Sequence, residues 1–442
     1  MTTGGDVRGR LYDPTVVEHE LTTLTGGERV ISEHVPGVRS VALGFWIGAG
    51  SRDEPEARAG VSHFIEHLLF KGSSRYSAQE IAEIFDTLGG ELNAATSRET
   101  TVVYARVPDE RLETALDVIT DMVFEPAFAE VDSEREVVLE EIAMVEDTPQ
   151  DLVHDIVAEA VFGGHPLGRP VIGRADVIAA VDRNALAEYH ASAYVGSNVV
   201  VAAAGNVEHA RLVELLDARR SGALGRNGLS RQPLTAVTPP GFRFQAKATE
   251  QYHVCLGAPG IARGDERRFA ASLLDAIVGG SASSRLFQEI REKRGMAYAV
   301  YSFGSQYTDA GQLGLYIGTR EENLASCLEI AAAELSDVGA GNVRPGELER
   351  AKENLKGRLL LSLESTSNRM SRLGKALVTD GELLSTEEMV ERIEAVTADD
   401  VAALAAELLA PEALSAAGIG PSEERFRAAV ERVNPALLAH AA

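Results

Sequence analysis

The sequence is organised around a stretch of five residues, His63-Phe64-Ile65-Glu66-His67. It lies in an almost wholly apolar segment, GVSHFIEHLLF, at residues 60–70, which is typical of a buried helix. Because successive residues of a helix are offset by about 100°, the side chains of His63, Glu66 and His67 share an arc of about 100°. Two imidazoles one turn apart can bind one metal ion, and a carboxylate beside them can hold a water on that ion. The alternative is that all three are hydrogen-bonded polar residues of the core.

A third metal ligand is predicted on a later helix, at residues 132–145. Glu134 and Glu141 are two turns apart and point along its apolar stripe, whereas Glu136 and Glu140 point away from it. The stripe is made of Val137, Val138, Ile142 and Val145. Carboxylates on a core-facing stripe are costly unless they meet a cation. Glu141 is therefore the best candidate for the third ligand, unless the helix has another register and is an ordinary acidic helix.

The composition is that of a globular protein with more than one domain. The chain has 442 residues, of which 45% are hydrophobic and 25% are charged, and this length predicts about two to four domains. It contains no apolar run long enough to span a membrane. The polar N-terminus lacks the pattern of an export signal, so we expect a cytoplasmic protein in which Cys255 and Cys327 are reduced core thiols.

The formal net charge of −25 argues against two classes of partner. Nucleic acids and anionic membrane surfaces are both repelled by a strongly acidic protein. An acidic surface also suits solubility, and we favour that explanation over a specific preference for basic substrates.

The order of the predicted elements repeats once along the chain. In the first half, strands are predicted at 28–34, 40–48, 91–96, 100–107 and 198–205, and helices at 77–88, 110–123, 132–145, 147–162, 182–194 and 206–218. In the second half, strands are predicted at 252–257, 297–304, 311–318 and 414–420, and helices at 267–278, 285–293, 321–335, 345–364 and 367–377. Residues 219–241 are loop-like and rich in glycine and proline, which indicates a domain boundary.

We therefore expect an α+β fold of two homologous domains, each a mostly antiparallel sheet packed with helices. The metal-binding domain spans 1–220, with a loose tail at 1–18, the linker spans 221–241, and the second domain spans 242–442. Aligning residues 61–69 on 270–278 places Ser272, Asp275 and Ala276 opposite His63, Glu66 and His67. If the repeat is real, the fold was duplicated and only the first copy kept the metal ligands.

Two further histidines are candidates for a second metal or a substrate. Neither His154 nor His165 has a second histidine or a cysteine three or four positions away, which is the spacing that would support a metal site. We favour structural roles for both.

Several motifs together resemble the M16 metallopeptidases, the family of pitrilysin, insulin-degrading enzyme, mitochondrial processing peptidase and their one-subunit bacterial relatives. The H-x-x-E-H order of residues 63–67 is the inverzincin signature. The other matching segments are 89–96 (GGELNAAT), 134–142 (EREVVLEEI), 284–287 (SRLF) and 291–298 (REKRGMAY). The likeness spans nearly the whole chain, and the chain's length is similar to that of the processing-peptidase branch, in which two such chains form one chamber.

The resemblance implies a role for each matching residue of the first half. His63, His67 and Glu141 are implied to be ligands of one Zn²⁺ per chain, and Glu66 the general base. Glu134 is implied to be the acid that supports a ligand from behind.

The resemblance also extends to substrate binding. Asn93 and Ala94 are implied to hold the substrate backbone on an edge strand, and Phe70 is a further candidate substrate-binding residue. From the second domain, Arg291 and Tyr298 are implied to act on the substrate carbonyl.

The implied function is zinc-dependent endopeptidase activity on peptides or unfolded segments. The alternative is a non-catalytic scaffold or binding subunit of a heterodimer of this family. The complete set of metal ligands argues against this alternative. Because one chain carries both the metal half and the Arg291 and Tyr298 half, we expect a homodimer. A heterodimer with an inactive paralogue is the other arrangement that the resemblance allows.

Overall fold

The computed structural model describes residues 19–220, 229, 231–235 and 238–439. The tail predicted at 1–18 and most of the linker predicted at 221–241 lie outside the described residues. The domain boundaries of the sequence analysis therefore stay predictions. Within the described part, the strands form two separate sheets, each packed with helices.

The first half contains six strands and eight α-helices among its described residues. The strands are β1 (Glu20–Thr23), β2 (Arg29–His34), β3 (Ser40–Ile47), β4 (Glu91–Thr96), β5 (Thr101–Pro108) and β6 (Val199–Gly205). The helices are α1 (Val61–Leu69), α2 (Ala78–Leu88), α3 (Leu112–Phe124), α4 (Val131–Asp147), α5 (Pro149–Phe162), α6 (Ala175–Ala180), α7 (Arg183–Ala193) and α8 (His209–Arg220).

The second half contains five strands and eight α-helices among its described residues. The strands are β7 (Phe242–Ala246), β8 (Tyr252–Gly260), β9 (Ala297–Gln306), β10 (Gly311–Thr319) and β11 (Ser415–Gly420). The helices are α9 (Arg268–Val278), α10 (Glu321–Gly339), α11 (Glu347–Ser362), α12 (Thr366–Val378), α13 (Thr386–Ala395), α14 (Ala398–Leu408), α15 (Glu423–Glu431) and α16 (Pro435–Ala439). A π-helix at Phe287–Glu292 replaces the α-helix predicted at 285–293.

The two sheets have the same strand order, which confirms the predicted duplicated α+β fold. The first sheet has the order β1-β2-β6-β3-β5-β4, and the second has the order β7-β11-β8-β10-β9. All neighbours are antiparallel except β2 with β6 and β7 with β11, so each copy has one parallel pair at the matching place. The first sheet differs only by the added edge strand β1. Each sheet is therefore mostly antiparallel, as predicted.

One helix of each half packs on the sheet of the other half. Helix α5 packs on β8 and β11 of the second sheet, and α12 packs on β3 and β6 of the first. At the second contact, Met370 and Leu373 of α12 pack against the buried Trp46 of β3. Gly374 is required there, because a Cβ atom at this position would lie 2.1 Å from the Trp46 ring nitrogen. This exchange covers both faces of β3 and explains why its sequence is nearly continuous in apolar residues.

One buried histidine makes the fold sensitive to acid. His190 of α7 is buried, its Nε2 donates to the carbonyl of Val123 at 2.8 Å, and its ring stacks on Tyr194. Burial lowers the pKa of His190 to about 4, whereas an exposed histidine titrates near 6.5. Because the folded-state pKa is depressed, the contribution of neutral His190 to stability is present above pH 6.5 and is lost as the pH falls towards 4.

We expect His190→Gln, which keeps a donor for Val123, to remove part of this acid sensitivity. From pH 7 to pH 4.5, the free energy of unfolding of the parent chain should fall by about 2–3 kcal/mol more than that of the variant. Chemical denaturation at the two pH values measures the difference. Parallel pH profiles for the two proteins would contradict the assignment.

Candidate metal centre

Helix α1 is fixed in place at its N-terminus by a buried acid. The carboxylate of Glu54 accepts hydrogen bonds from the backbone N–H groups of Gly60 and Ser62, both at 2.7 Å. These are N–H groups that the first turn of a helix leaves without an internal partner. Burial raises the pKa of Glu54 to about 7, and the two backbone bonds act against that rise. Gly60 has φ of +99° and lies against the backbone of Gly173, so the helix begins at a position that favours glycine.

The structure brings His63, His67 and Glu141 together. Nε2 of His63 lies 3.7 Å from Oε2 of Glu141, and Nε2 of His67 lies 3.4 Å from the same oxygen. Two ligands bound to Zn²⁺ at about 2.0–2.1 Å in tetrahedral geometry lie about 3.4 Å apart, so this spacing fits one ion. Across the described part of the chain, these residues are the one group of three or more potential ligands close enough to share a metal.

The imidazole of His67 is oriented by a buried carboxylate. Nδ1 of His67 donates to Oε1 of Glu134 at 2.9 Å, which leaves the lone pair of Nε2 free to bind a metal. Glu134 is 5% exposed, and its other oxygen forms an ion pair with Lys71 at 2.7 Å. Glu134 therefore lies behind the site, in the position that the resemblance implied for it.

Glu66 lies beside the histidines with one oxygen unused. Its Oε2 is buried and has no hydrogen-bond partner among the described residues. Burial raises the pKa of Glu66, and nearby Thr96 and His67 oppose that rise. A carboxylate oxygen of this kind can accept a proton from a water held next to it.

Helix α4 differs from its predicted pattern at one position. Glu134, Val138 and Ile142 are buried as expected, and Glu136 and Glu140 are exposed. Val137, which was predicted on the buried stripe, is instead 44% exposed. It lies one turn before Glu141, at the edge of the stripe, so the helix surface next to the metal ligands is open on that side.

The predicted substrate strand is an open edge of the first sheet. Strand β4 pairs only with β5, so its other edge is unpaired within the described chain. The side chain of Ala94 is buried, whereas Asn93 is exposed and its Oδ1 accepts a hydrogen bond from the N–H of Ala94 at 2.8 Å. That N–H is bonded to a side chain rather than to β5, so an added strand would have to displace the Asn93 amide to use it. Phe70 is half-buried and follows directly after the last residue of α1.

Arg291 and Tyr298 are paired with each other rather than with the metal ligands. The guanidinium of Arg291, on the π-helix, lies 4.6 Å from the centre of the Tyr298 ring, and Tyr298 is 77% exposed. Over the described residues, no hydrogen bond, ion pair or ring contact joins this pair to His63, Glu66, His67 or Glu141. The pair therefore faces outward from its own half.

The π-helix that carries Arg291 begins next to a buried ionic cluster that the sequence did not reveal. Arg285 is 1% exposed and bonds the carboxylates of Glu347 at 2.7 Å and Asp337 at 2.9 Å, together with the carbonyl of Asn342 at 2.6 Å. In the sequence the segment 284–287 stands out only as a motif, and the acidic partners of Arg285 are about fifty or more residues away, so spacing gives no signal for them. The same holds for Lys71, whose partner Glu134 lies on a later helix, whereas Gly60 and Ser62, the partners of Glu54, are close to it in sequence.

The remaining histidines and cysteines lie outside the metal centre. Nε2 of His154 is bonded to the hydroxyl of Tyr301 at 3.0 Å, and His165 is bonded to the backbone of Leu167 and Gln232. These contacts are structural. Cys255 and Cys327 are both buried and free.

Comparisons with known proteins identify the family of this chain. The family described as "Insulinase (Peptidase family M16)" matches residues 29–175, and the one described as "Peptidase M16 inactive domain" matches residues 180–355. A Streptomyces coelicolor protein named as an uncharacterized zinc protease is 43% identical over 91% of this chain and 90% of its own length. The chain belongs to peptidase family M16. Its M16 relatives also include the uncharacterized zinc protease YmxG of Bacillus subtilis, 41% identical over 90% of this chain and 98% of that protein.

Solved structures agree with this M16 fold. A structure titled as a protease from Helicobacter pylori has a TM-score of 0.84 at 23% identity, and covers 91% of this chain and 99% of its own. A Pseudomonas fluorescens structure titled as a peptidase M16 inactive domain also has a TM-score of 0.84, at 22% identity, covering 92% of this chain and 99% of its own. No helix among the described residues is both long and apolar enough to cross a lipid bilayer.

Proposed function

We propose that this M16 chain is a zinc-dependent endopeptidase that cleaves peptides or unfolded segments. The observation that carries the proposal is the convergence of two imidazoles of α1 and one carboxylate of α4 at 3.4–3.7 Å, with Glu66 beside them. Three protein ligands leave one coordination position open, as in catalytic rather than structural zinc sites. The names of the relatives as zinc proteases support the same activity.

The residues present fit one zinc ion per chain. Two neutral imidazole nitrogens and one carboxylate oxygen form a donor set that zinc prefers, and Glu134 fixes the tautomer of His67. When bound, zinc would supply Lewis-acid activation of a water molecule and of the scissile carbonyl.

The chain's own residues would handle the proton and the substrate. Glu66 would accept a proton at Oε2 from the attacking water and later deliver it to the leaving amine. The open edge of β4, at Asn93 and Ala94, would align an extended peptide through backbone hydrogen bonds after the Asn93 amide moves aside. Because such pairing depends on the backbone of the substrate, we expect the enzyme to cleave peptides with many different side chains. Phe70, at the end of α1, would contact the substrate nearby.

In a homodimer, Arg291 and Tyr298 of one copy could act at the metal centre of the other copy. The pair faces outward from the second half and makes no contact with the metal centre of its own chain among the described residues. A second copy can present such an exposed pair to the first copy's site, where both side chains would donate hydrogen bonds to the substrate carbonyl oxygen. We place this dimer in the cytoplasm, in keeping with the two free cysteines.

Metal analysis combined with a cleavage assay tests the proposal. Protein purified without added zinc should contain about one zinc per chain, and a quenched fluorogenic peptide should be cleaved in a chelator-sensitive manner. Light scattering should give the mass of two chains. A metal-free chain that cleaves nothing when zinc is restored would favour the non-catalytic scaffold.

Removal of the Glu134 carboxylate should weaken the metal site without removing a ligand. In Glu134→Gln, the His67 imidazole loses a charged acceptor for Nδ1–H, so zinc affinity should fall by about 10–100-fold. Competition with a chromogenic chelator measures that affinity. Glu140→Gln, on the exposed face of the same helix, is the matched control and should bind zinc like the parent chain. Equal affinities in both variants would contradict the role of Glu134.

A further inference from the structure

A cavity of about 880 Å³ lies between the two halves of the chain. The first half contributes the turn between β4 and β5, at residues 97–100, and the second half contributes α9, α11, α12 and the end of β9. Three of its lining residues are Ser272, Asp275 and Ala276 of α9, which the sequence alignment placed opposite the metal-binding residues of α1. The cavity is therefore at the place in the second half that corresponds to the metal centre in the first.

The lining of this cavity is cationic, although the chain as a whole is strongly acidic. Four cations line it, namely Arg98, Arg263, Arg358 and Lys375, against two acids, Glu99 and Asp275. The net charge of the whole chain is −25, whereas the cavity lining has two more positive than negative side chains. The lining is therefore opposite in charge to the chain as a whole.

Both acids of the lining are already engaged. Glu99 is 2% exposed and accepts hydrogen bonds from Arg52 at 2.8 Å and from the backbone N–H of Thr308 at 3.0 Å. Asp275 accepts a hydrogen bond from the hydroxyl of Ser302 at 2.6 Å. Glu99 is therefore already paired with arginines, whereas Asp275 is bonded by a neutral hydroxyl and its charge acts on Arg358.

Some of the cationic groups have no such partner. Arg358 and Lys375 are exposed and, among the described residues, make no ion pair and no side-chain hydrogen bond, whereas Nη1 of Arg263 is buried without an acceptor. Partial burial lowers the pKa of Lys375, the neighbouring Arg263 lowers it further, and Glu99 acts against that fall. An anionic ligand would supply the acceptor that Nη1 of Arg263 lacks and would offset the charge of the two exposed cations.

We propose that this cavity binds a carboxylate-bearing peptide segment, through Arg358 and Lys375 together with Arg263. Its volume is in the range of organic-ligand sites, which run to about 1,000 Å³, and far exceeds the space that a simple ion needs. In the first half a bound metal would supply the positive charge, whereas in the second half side chains of the protein supply it. Ser97 at the rim directly follows β4, so a peptide held on β4 would enter the cavity within one or two residues of about 3.4 Å each. That last link rests on the proposed function, whereas binding of the carboxylate does not.

Binding of three matched peptides to the zinc-loaded Glu66→Gln chain tests this proposal, because the measurement does not depend on hydrolysis. The first peptide is acetylated and amidated at its ends and contains three glutamates. The second has glutamines in their place, and the third is the glutamine peptide with a free C-terminal carboxylate. Fluorescence anisotropy should show that the first or third peptide binds about tenfold or more tightly than the second, with an affinity that falls as salt is added. Tighter binding of the first identifies side-chain carboxylates as the ligand, and tighter binding of the third identifies the terminal carboxylate.

Variants of the lining then locate the binding. Arg358→Gln and Lys375→Gln should each reduce the preference for the carboxylate peptide about tenfold. Arg320→Gln changes an arginine with a 74% exposed side chain outside the cavity lining, and should leave the preference unchanged. Equal affinity for all three peptides would overturn the proposal. A preference that survives both lining substitutions would overturn it as well.

Discussion

The Glu66→Gln variant is expected to bind zinc as tightly as the parent chain and to lose about 10³-fold in kcat. Glutamine keeps the shape of the side chain but cannot accept the proton of the attacking water. The metal ligands His63, His67 and Glu141 are unchanged, and the hydrogen bond from His67 to Glu134 does not involve Glu66. The effect should therefore appear in the chemical step and not in metal content.

Two measurements on one preparation check this expectation. Zinc content is determined by metal analysis, and kcat is determined with the quenched fluorogenic peptide. Glu83→Gln, an exposed acid on α2, is the matched control and should retain full activity. Turnover of Glu66→Gln close to that of the parent chain would contradict the assignment of Glu66 as the general base.

The Arg52→Met variant is expected to lose about 3–5 kcal/mol of unfolding free energy. Arg52 is 1% exposed and bonds Glu99 at 2.8 Å, the side chain of Asp309 at 2.8 Å and the carbonyl of Gln232 at 2.8 Å. These partners come from the first half, the second half and the segment between them. Removal of the guanidinium leaves the buried Glu99 carboxylate without its main counter-charge. An uncompensated buried charge is strongly destabilising.

A double variant separates this cost from a simple loss of packing. Arg52→Met combined with Glu99→Leu removes both charges. The double variant should therefore lose less unfolding free energy than the two single variants lose in sum. Arg39→Met removes an exposed ion pair with Asp109 and should change stability little. Chemical denaturation measures the parent chain and the four variants, and an Arg52→Met chain as stable as the Arg39→Met control would contradict the account.

The local parts of the fold and of the candidate site were predictable from sequence. Helix α1 and the apolar stripe of α4 follow from helical periodicity, and that periodicity alone placed Glu134 and Glu141 on the same side of α4. The turn between β4 and β5 follows from the alternation of the flanking strands. These features depend on residues only a few positions apart, so the sequence shows them directly.

Features that depend on distant residues were not predictable. The exchange of α5 and α12 between the sheets follows from packing of residues about one hundred or more positions apart, and no periodicity encodes it. The short edge strand β1 carries little alternation and was missed, and β7 was missed although its sequence FRFQA alternates apolar and polar residues. Helices α13 to α16 were missed as well, although α13 and α14 each begin with a capping box, a local signal that could have located them.

The position of Arg291 and Tyr298 shows the same limit at the site. Their motif was recognisable, and the resemblance assigned them to the reaction. Whether they meet the metal centre of their own chain or of another depends on how the surfaces are placed, and the structure leaves Tyr298 exposed and away from that centre.

Anomalous diffraction from zinc-replete crystals tests the central claim most directly. Data collected on both sides of the zinc absorption edge should show one peak per chain, within about 2.0–2.1 Å of Nε2 of His63, Nε2 of His67 and a carboxylate oxygen of Glu141. A chain whose zinc lies elsewhere, or is held by the two imidazoles without Glu141, would contradict the claim.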